Sequence, residues 1–276
     1  MANNSKPVRV MMWSTPRSVS TAIERSILTL DEAEVFNEMY SAAHHFGPTS
    51  NHFPLNYFPL SPKFSFKWVK SELEKDYPGK EVIFAKDFAY ALGEDLSLLP
   101  TGYTHTILIR NPCSVLRSIN HVIKNSYFLS LTGGSLKKHY PGTIFFKELW
   151  DLYVYARDTL HQNPVVIDAD DFLENPEAMM KLYCEKTGIP FRDSMLSWEP
   201  TNIWSINWHS SYALSFAAWM LGYYGKALNS SGFRKADKPK EKVDMSTMDD
   251  DLREAVEENM EYYDMLYTNR LVLNME

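Results

Sequence analysis

Short apolar runs alternate with stretches of helical period along this chain. Val8-Arg9-Val10-Met11-Met12-Trp13 predicts a strand, followed by a polar turn at 14–18 and a helix from about Val19 to Leu30. Glu34-Val35-Phe36-Asn37-Glu38 and Glu81-Val82-Ile83-Phe84-Ala85-Lys86 predict two more strands. Thr106-Ile107-Leu108-Ile109-Arg110 is the clearest, with a helical pattern from Cys113 to about Asn125 directly after it. A fifth, Pro164-Val165-Val166-Ile167-Asp168, precedes a helix signalled by Asn175-Pro176-Glu177. Ser246-Thr247-Met248-Asp249 resembles a capping box before a helix reaching about Leu266. Strand and helix in alternation predict an α/β fold, a central parallel sheet flanked by helices.

Two long stretches break the rhythm. Residues 41–66 are rich in His, Pro, Phe and Tyr, and 126–146 carry Thr132-Gly133-Gly134 and Pro141-Gly142. Long aromatic loops in a compact domain predict ordered lids over a cleft. The most apolar stretch, Tyr212 to Tyr224, is too short for the roughly 20 residues a membrane span needs and predicts a buried amphipathic helix. No internal repeat or linker-like composition shift divides the chain, so residues 1–276 are expected to form one domain.

Composition narrows the partners. The 276 residues are 45% hydrophobic and 23% charged, a globular balance, and the net charge of −7 disfavours broad contact with nucleic acid. A small anion needs only a few well-placed cations. Two cysteines, Cys113 and Cys184, cannot build a disulfide framework. With no apolar leader and no span, a cytoplasmic protein without membrane contact is expected. The oligomeric state is left open.

The turn Ser14-Thr15-Pro16-Arg17-Ser18-Val19-Ser20-Thr21 lies between a strand and a helix, where backbone amides and the helix dipole attract anions. Ser18, Ser20 and Thr21 add hydroxyls and Arg17 a fixed charge. The glycines and lysine of a Walker loop are missing, which disfavours a kinase or ATPase. Arg110-Asn111-Pro112, with Ser118 eight residues after Arg110, puts a second cation and hydroxyl at the carboxyl edge of the predicted sheet, where ligands of open α/β sheets bind.

The pairing of Pro16-Arg17-Ser18-Val19-Ser20-Thr21 with Arg110-Asn111-Pro112 and Ser118 resembles the PAPS-dependent sulfotransferases, in the branch with a P-R-S-x-S-T loop. Gly188-Ile189-Pro190-Phe191 and Trp198-Glu199-Pro200 are similar to that branch as well. The resemblance implies a P-loop-NTPase-like sulfotransferase fold with long substrate-side loops. It implies that Arg17, Ser18, Val19, Ser20 and Thr21 hold the 5′-phosphosulfate of PAPS, and that Arg110 and Ser118 hold the 3′-phosphate. Val19 stands where cytosolic members usually carry glycine. The family's R-K-G element is partly present as Arg234-Lys235-Ala236, which implies donor contacts from Arg234 and Lys235.

The activity so implied is sulfuryl transfer from PAPS to a hydroxyl or amine of a small, apolar or aromatic acceptor, releasing PAP, with no metal. Arg17 would be the cation at the leaving phosphate. The position of the family's frequent histidine base is Phe88, after Lys86-Asp87. Other branches use a glutamate after the second strand, and Glu38 stands there. Asp87 is the next candidate for the base, with Lys86 orienting sulfate or acceptor, and His44 and His45 come third. His44, His45, Phe46, His52, Phe53, Tyr57, Phe58, Tyr127 and Phe128 are the expected acceptor-pocket walls. The alternatives are a nucleotide-binding protein of this fold that lacks transferase chemistry, and another P-loop enzyme such as a small-molecule kinase.

Overall fold

The computed structural model describes residues 6–50, 60–126, 136–140, 144–233 and 245–273. Five strands, β1 (Val8–Ser14), β2 (Ala33–Asn37), β3 (Val82–Phe88), β4 (Thr104–Ile109) and β5 (Val165–Asp168), form a parallel sheet in the order β2-β3-β1-β4-β5. Each lies where an apolar run predicts it, within a residue or two at either end. Parallel strands are covered on both faces, so their sequences read as continuous apolar runs. In β1, Met11 and Trp13 enter one core while Val10 and Met12 enter the other, and all four are at most 1% exposed.

The helices between strands are α1 (Ser20–Ile27), α2 (Met39–Phe46), α3 (Phe66–Leu73), α4 (Ala89–Leu92), α5 (Pro112–Asn125), α6 (Leu136–His139) and α7 (Phe145–Asp158). After β5 come α8 (Ala169–Glu174), α9 (Pro176–Thr187), α10 (Tyr212–Leu221), α11 (Gly225–Leu228) and α12 (Asp250–Thr268). Their starts follow local chemistry. Asn111 accepts hydrogen bonds from the amides of Cys113 and Ser114 and Pro112 sets the first turn of α5, while Asn175 caps α9 through the amide of Ala178.

Three expectations are corrected. The cap of α12 is Asp249, which accepts from the Leu252 amide at 2.9 Å, and the Met245–Thr247 segment is a separate 3₁₀ turn. The start of the expected loop 41–66, residues 41–46, is helix α2 instead, its N-terminus capped by Asp87 as described below. The 212–221 helix is buried on one side only: Tyr212, Phe216, Trp219 and Met220 are exposed, Tyr212 by 75%. An apolar stripe all the way round a helix does not say which side the rest of the protein covers.

Register brings the carboxyl ends of the strands to one edge. Ser14 pairs with Phe88 and Leu108, Asn37 with Lys86, and Ile109 with Asp168. The chain runs from β1 outwards to β2 and later crosses to β4 on the opposite side of β1. That reversal opens the crevice in which ligands of doubly wound sheets sit.

Candidate active site

At this edge lies a cleft of about 530 Å³, a size ordinary for a small-molecule site. Its lining joins both anion loops: Pro16 to Thr21 from the β1–α1 turn, Arg110 from the end of β4 and Ser118 from α5. Arg17 Nε donates to Ser118 Oγ at 3.0 Å, and Arg110 Nη1 donates to the Arg17 carbonyl at 3.1 Å. The two loops, 93 residues apart between the arginines, therefore share one network. Arg110 also pairs with Asp170 of α8 at 3.3 Å. The sequence spacing puts Ser118 beside Arg110, but the structure gives its hydroxyl to Arg17.

The β1–α1 turn is bent into an unusual shape. Arg17 and Val19 have φ of 68° and 72°, in the left-handed region, with Ser18 Oγ donating to the Thr15 carbonyl at 2.7 Å. For a β-branched valine this is a strained conformation, of order 1–3 kcal/mol. Glycine would adopt this conformation freely. No side chain caps α1, and its first residues Ser20 and Thr21 face the cleft lining. Arg17 Nη1 donates to the Tyr223 carbonyl at 2.9 Å. Burial lowers the pKa of Arg17, neighbouring Arg110 adds a smaller push the same way, and the guanidinium stays charged at neutral pH.

Glu38 also lines the cleft, from the junction of β2 and α2, with φ of 54°. It sits at the N-cap of α2 yet makes no capping bond, because Asp87 performs that task. The Asp87 carboxylate accepts from the amides of Tyr40 (2.6 Å), Ser41 (3.1 Å) and Phe88 (2.9 Å) and from Ser41 Oγ (2.6 Å). With its carboxylate spent on the α2 terminus and 1% exposure, Asp87 is outside the cleft lining, and its place in the structure is that of a cap rather than of a base. Burial raises its pKa to about 7.

Lys86 corrects a second expectation. It is 1% exposed and lies behind the cleft lining, its ammonium turned to carboxylates. Its Nζ donates to Glu38 Oε1 and lies 3.4 Å from Oε2 of Glu24, a buried residue of α1. Burial opposes its charge, but Glu24 and Glu38 together outweigh that and raise its pKa. The ammonium also lies 4.9 Å from the centre of the Phe88 ring and 5.7 Å from that of Tyr224.

Aromatic side chains form part of the remaining lining, among them Phe46, Phe88, Tyr90, Tyr140, Tyr223 and Tyr224. Phe88 stacks on Tyr90 at 5.9 Å, Tyr140 meets Tyr90 edge-on at 5.5 Å, and Asn37 Nδ2 donates to the Tyr224 hydroxyl at 3.3 Å. His45 lines the cleft, its Nε2 2.9 Å from the Tyr90 hydroxyl, whereas His44 packs edge-on against His45 and Tyr90 outside it. His52, Phe53, Tyr57, Phe58, Tyr127, Phe128, Arg234 and Lys235 lie outside the described residues. Among the described residues no group of three or more His, Cys, Asp or Glu is placed to hold a metal, and no helix is long and apolar enough to cross a membrane.

Sequence reasoning missed Glu24, Lys226, the four tyrosines' meeting and the inner face of α10 (Leu214, Ala217, Ala218, Leu221). Glu24 carried a legible signal: with Ser20, Ile23 and Ile27 it completes a buried stripe at helical spacing, so a carboxylate interrupts an apolar face. The tyrosines come from three separate places in the chain, positions 90, 140 and 223–224, and share no local signature.

Residues 151–268 match the family model described as a sulfotransferase domain. That stretch contains neither anion loop, so the match supports the resemblance read from those loops with different residues. Two curated relatives from Arabidopsis thaliana, branched-chain-amino-acid aminotransferase-like proteins 2 and 1, are each 29% identical over 72% and 75% of this chain. This chain spans only about a third of their length, 34% and 36%. Among solved structures it is similar to mouse sulfotransferase SULT7A1 complexed with PAP (13% identity, 96% of this chain and 84% of that one, TM-score 0.46). It is also similar to a sulfotransferase from Alicyclobacillus acidocaldarius (10%, 81% and 94%, TM-score 0.45) and to the sulfotransferase domain of the curacin biosynthetic pathway (13%, 70% and 78%, TM-score 0.43).

Proposed function

We propose that this chain, with its sulfotransferase domain, transfers a sulfuryl group from PAPS to a hydroxyl or amine of a small apolar or aromatic acceptor. The observation that carries the reading is the convergence of Arg17, Arg110 and Ser118 in one cleft with the Glu38 carboxylate. The residues present fit such a donor: two arginines, the hydroxyl-rich start of α1 and a cleft of about 530 Å³ suit a nucleotide with two separated anionic groups.

Bound PAPS would supply an activated sulfuryl group on a phosphate leaving group. Arg17, with Ser18 to Thr21, would hold the 5′ end and neutralise charge as it gathers on that phosphate. Arg110 and Ser118 would hold the 3′-phosphate. Glu38 would take the proton of the acceptor as its oxygen or nitrogen bonds to sulfur and the bond from sulfur to the bridging oxygen breaks. The Phe46, Phe88, Tyr90, Tyr140, Tyr223 and Tyr224 wall favours a flat or apolar acceptor over a charged polymer. The test is single-turnover transfer from PAPS across a panel of phenols, alcohols and amines. Glu38→Gln is expected to slow the step by about 10²-fold or more with PAP affinity unchanged. An unchanged rate removes Glu38 as base. PAP binding without transfer to any acceptor would instead favour a nucleotide-binding protein of this fold.

A further inference from the structure

Glu24 projects from α1, the helix whose first turn closes the anion loop, and it is wholly buried. Its Oε2 lies 3.4 Å from Lys86 Nζ, which is hydrogen-bonded on its other side to Glu38. Apart from that ammonium, neither Glu24 oxygen has a hydrogen-bond partner among the described residues. Of the three, only Glu38 reaches the cleft. With both carboxylates ionised around one buried ammonium, one negative charge is left in excess, a costly arrangement to keep for packing alone.

We propose that Glu24 is a positioning residue for Glu38: by dividing the Lys86 ammonium between two carboxylates, it sets how strongly Glu38 can draw a proton from the acceptor. The inference rests on the reading of Glu38 as base. While Glu24 is protonated, the charge of Lys86 falls on Glu38 and weakens it as a base. Once Glu24 ionises, it competes for the ammonium and Glu38 becomes more basic.

The surroundings put this change within a measurable range. Burial, partly offset by Lys86, raises the pKa of Glu24 to about 8. The other groups acting on it are Glu38 at the β2–α2 junction and Asp87 on β3, both of which push the same way, while Tyr224 beside α11 packs near both glutamates. Lys86 remains cationic throughout, its charge held by the two carboxylates.

The experiment is the pH dependence of single-turnover transfer, from about pH 6 to about 9.5, with PAP affinity measured alongside. The wild type is expected to show a rise centred near the Glu24 ionisation. A tenfold gain in the basicity of a base that takes a half-transferred proton gives about threefold in rate. Glu24→Gln, matched in size and fixed in the neutral state, is expected to lose that step, keep the lower plateau and bind PAP as before. A variant profile that coincides with the wild type overturns the inference. So does a variant with a lowered melting temperature and an unmoved profile, since that is the mark of a structural role alone. If the variant does not fold, a ¹³C carboxyl titration of the wild type replaces it: Glu24 must ionise together with the rate step, and a Glu24 ionised over the whole range overturns the proposal. A wild type that transfers nothing while binding PAP fails at the parent reading, and is told apart by its silence from two superimposed active profiles.

Discussion

Replacing Lys86 by methionine keeps the length of the stem and deletes the charge between Glu24 and Glu38. Two buried carboxylates then remain, with side-chain exposures of 0% and 5%. Glu24 already holds its proton near neutral pH, because burial has raised its pKa to about 8, so it loses little. Glu38 loses the ammonium to which it is hydrogen-bonded and keeps only the neutral Tyr224 hydroxyl. An uncompensated buried charge of this kind costs about 3–5 kcal/mol. Glu24, whose pKa burial raises, offsets part of that cost by holding its proton while the pH stays low, at about 1.4 kcal/mol for each pH unit. A carboxyl whose folded pKa lies above its unfolded value contributes full stability below the unfolded value and loses it as pH rises through the folded one. The deficit of Lys86→Met must therefore grow with pH. Urea unfolding of both proteins at about pH 6 and pH 8 is expected to show a loss of about 3 kcal/mol at the higher pH and roughly half that at the lower. A loss under about 1 kcal/mol at pH 8, or an equal loss at both, would refute the picture of a dry carboxylate–ammonium cluster.

Three further substitutions test separate parts of the site. Val19→Gly relieves the left-handed strain and adds unfolded-state entropy, so its stability should stay within about 1 kcal/mol of the wild type by urea unfolding, where a valine of ordinary backbone would lose more. Asp87→Asn leaves one acceptor oxygen where two now serve four donors. It should lower stability by about 1–3 kcal/mol in the same assay, with PAP affinity intact if Asp87 is a cap alone. Arg110→Ala should weaken PAP about 10- to 100-fold by calorimetry and leave ADP nearly unchanged, because only PAP carries the 3′-phosphate.

The strands were legible because a parallel sheet buried on both faces leaves uninterrupted apolar runs, and α5 because Asn111-Pro112 is a start signal in itself. The anion loops were legible as residue types. Their actual wiring was not: Ser118 belongs to Arg17, and the Arg17 carbonyl to Arg110, by contacts across 101 and 93 positions. Asp87 and Glu38 read alike in sequence, as carboxylates at strand ends. Only the register of Asn37 with Lys86, which sets α2 over the Asp87 carboxylate, separates the one that caps from the one that faces the cleft. The exposed side of α10 escaped notice for the opposite reason, since its apolar residues leave no polar face to mark where solvent lies.

The central claim is that the two loops together hold a nucleotide with anions at both its 5′ and 3′ positions. Calorimetric titration of the wild type with PAP and with ADP, under the same salt, tests it most directly. PAP is expected to bind at least about tenfold more tightly, the worth of one added charge-assisted phosphate contact of about 1.4 kcal/mol. ADP binding as tightly as PAP, or more tightly, would contradict the account.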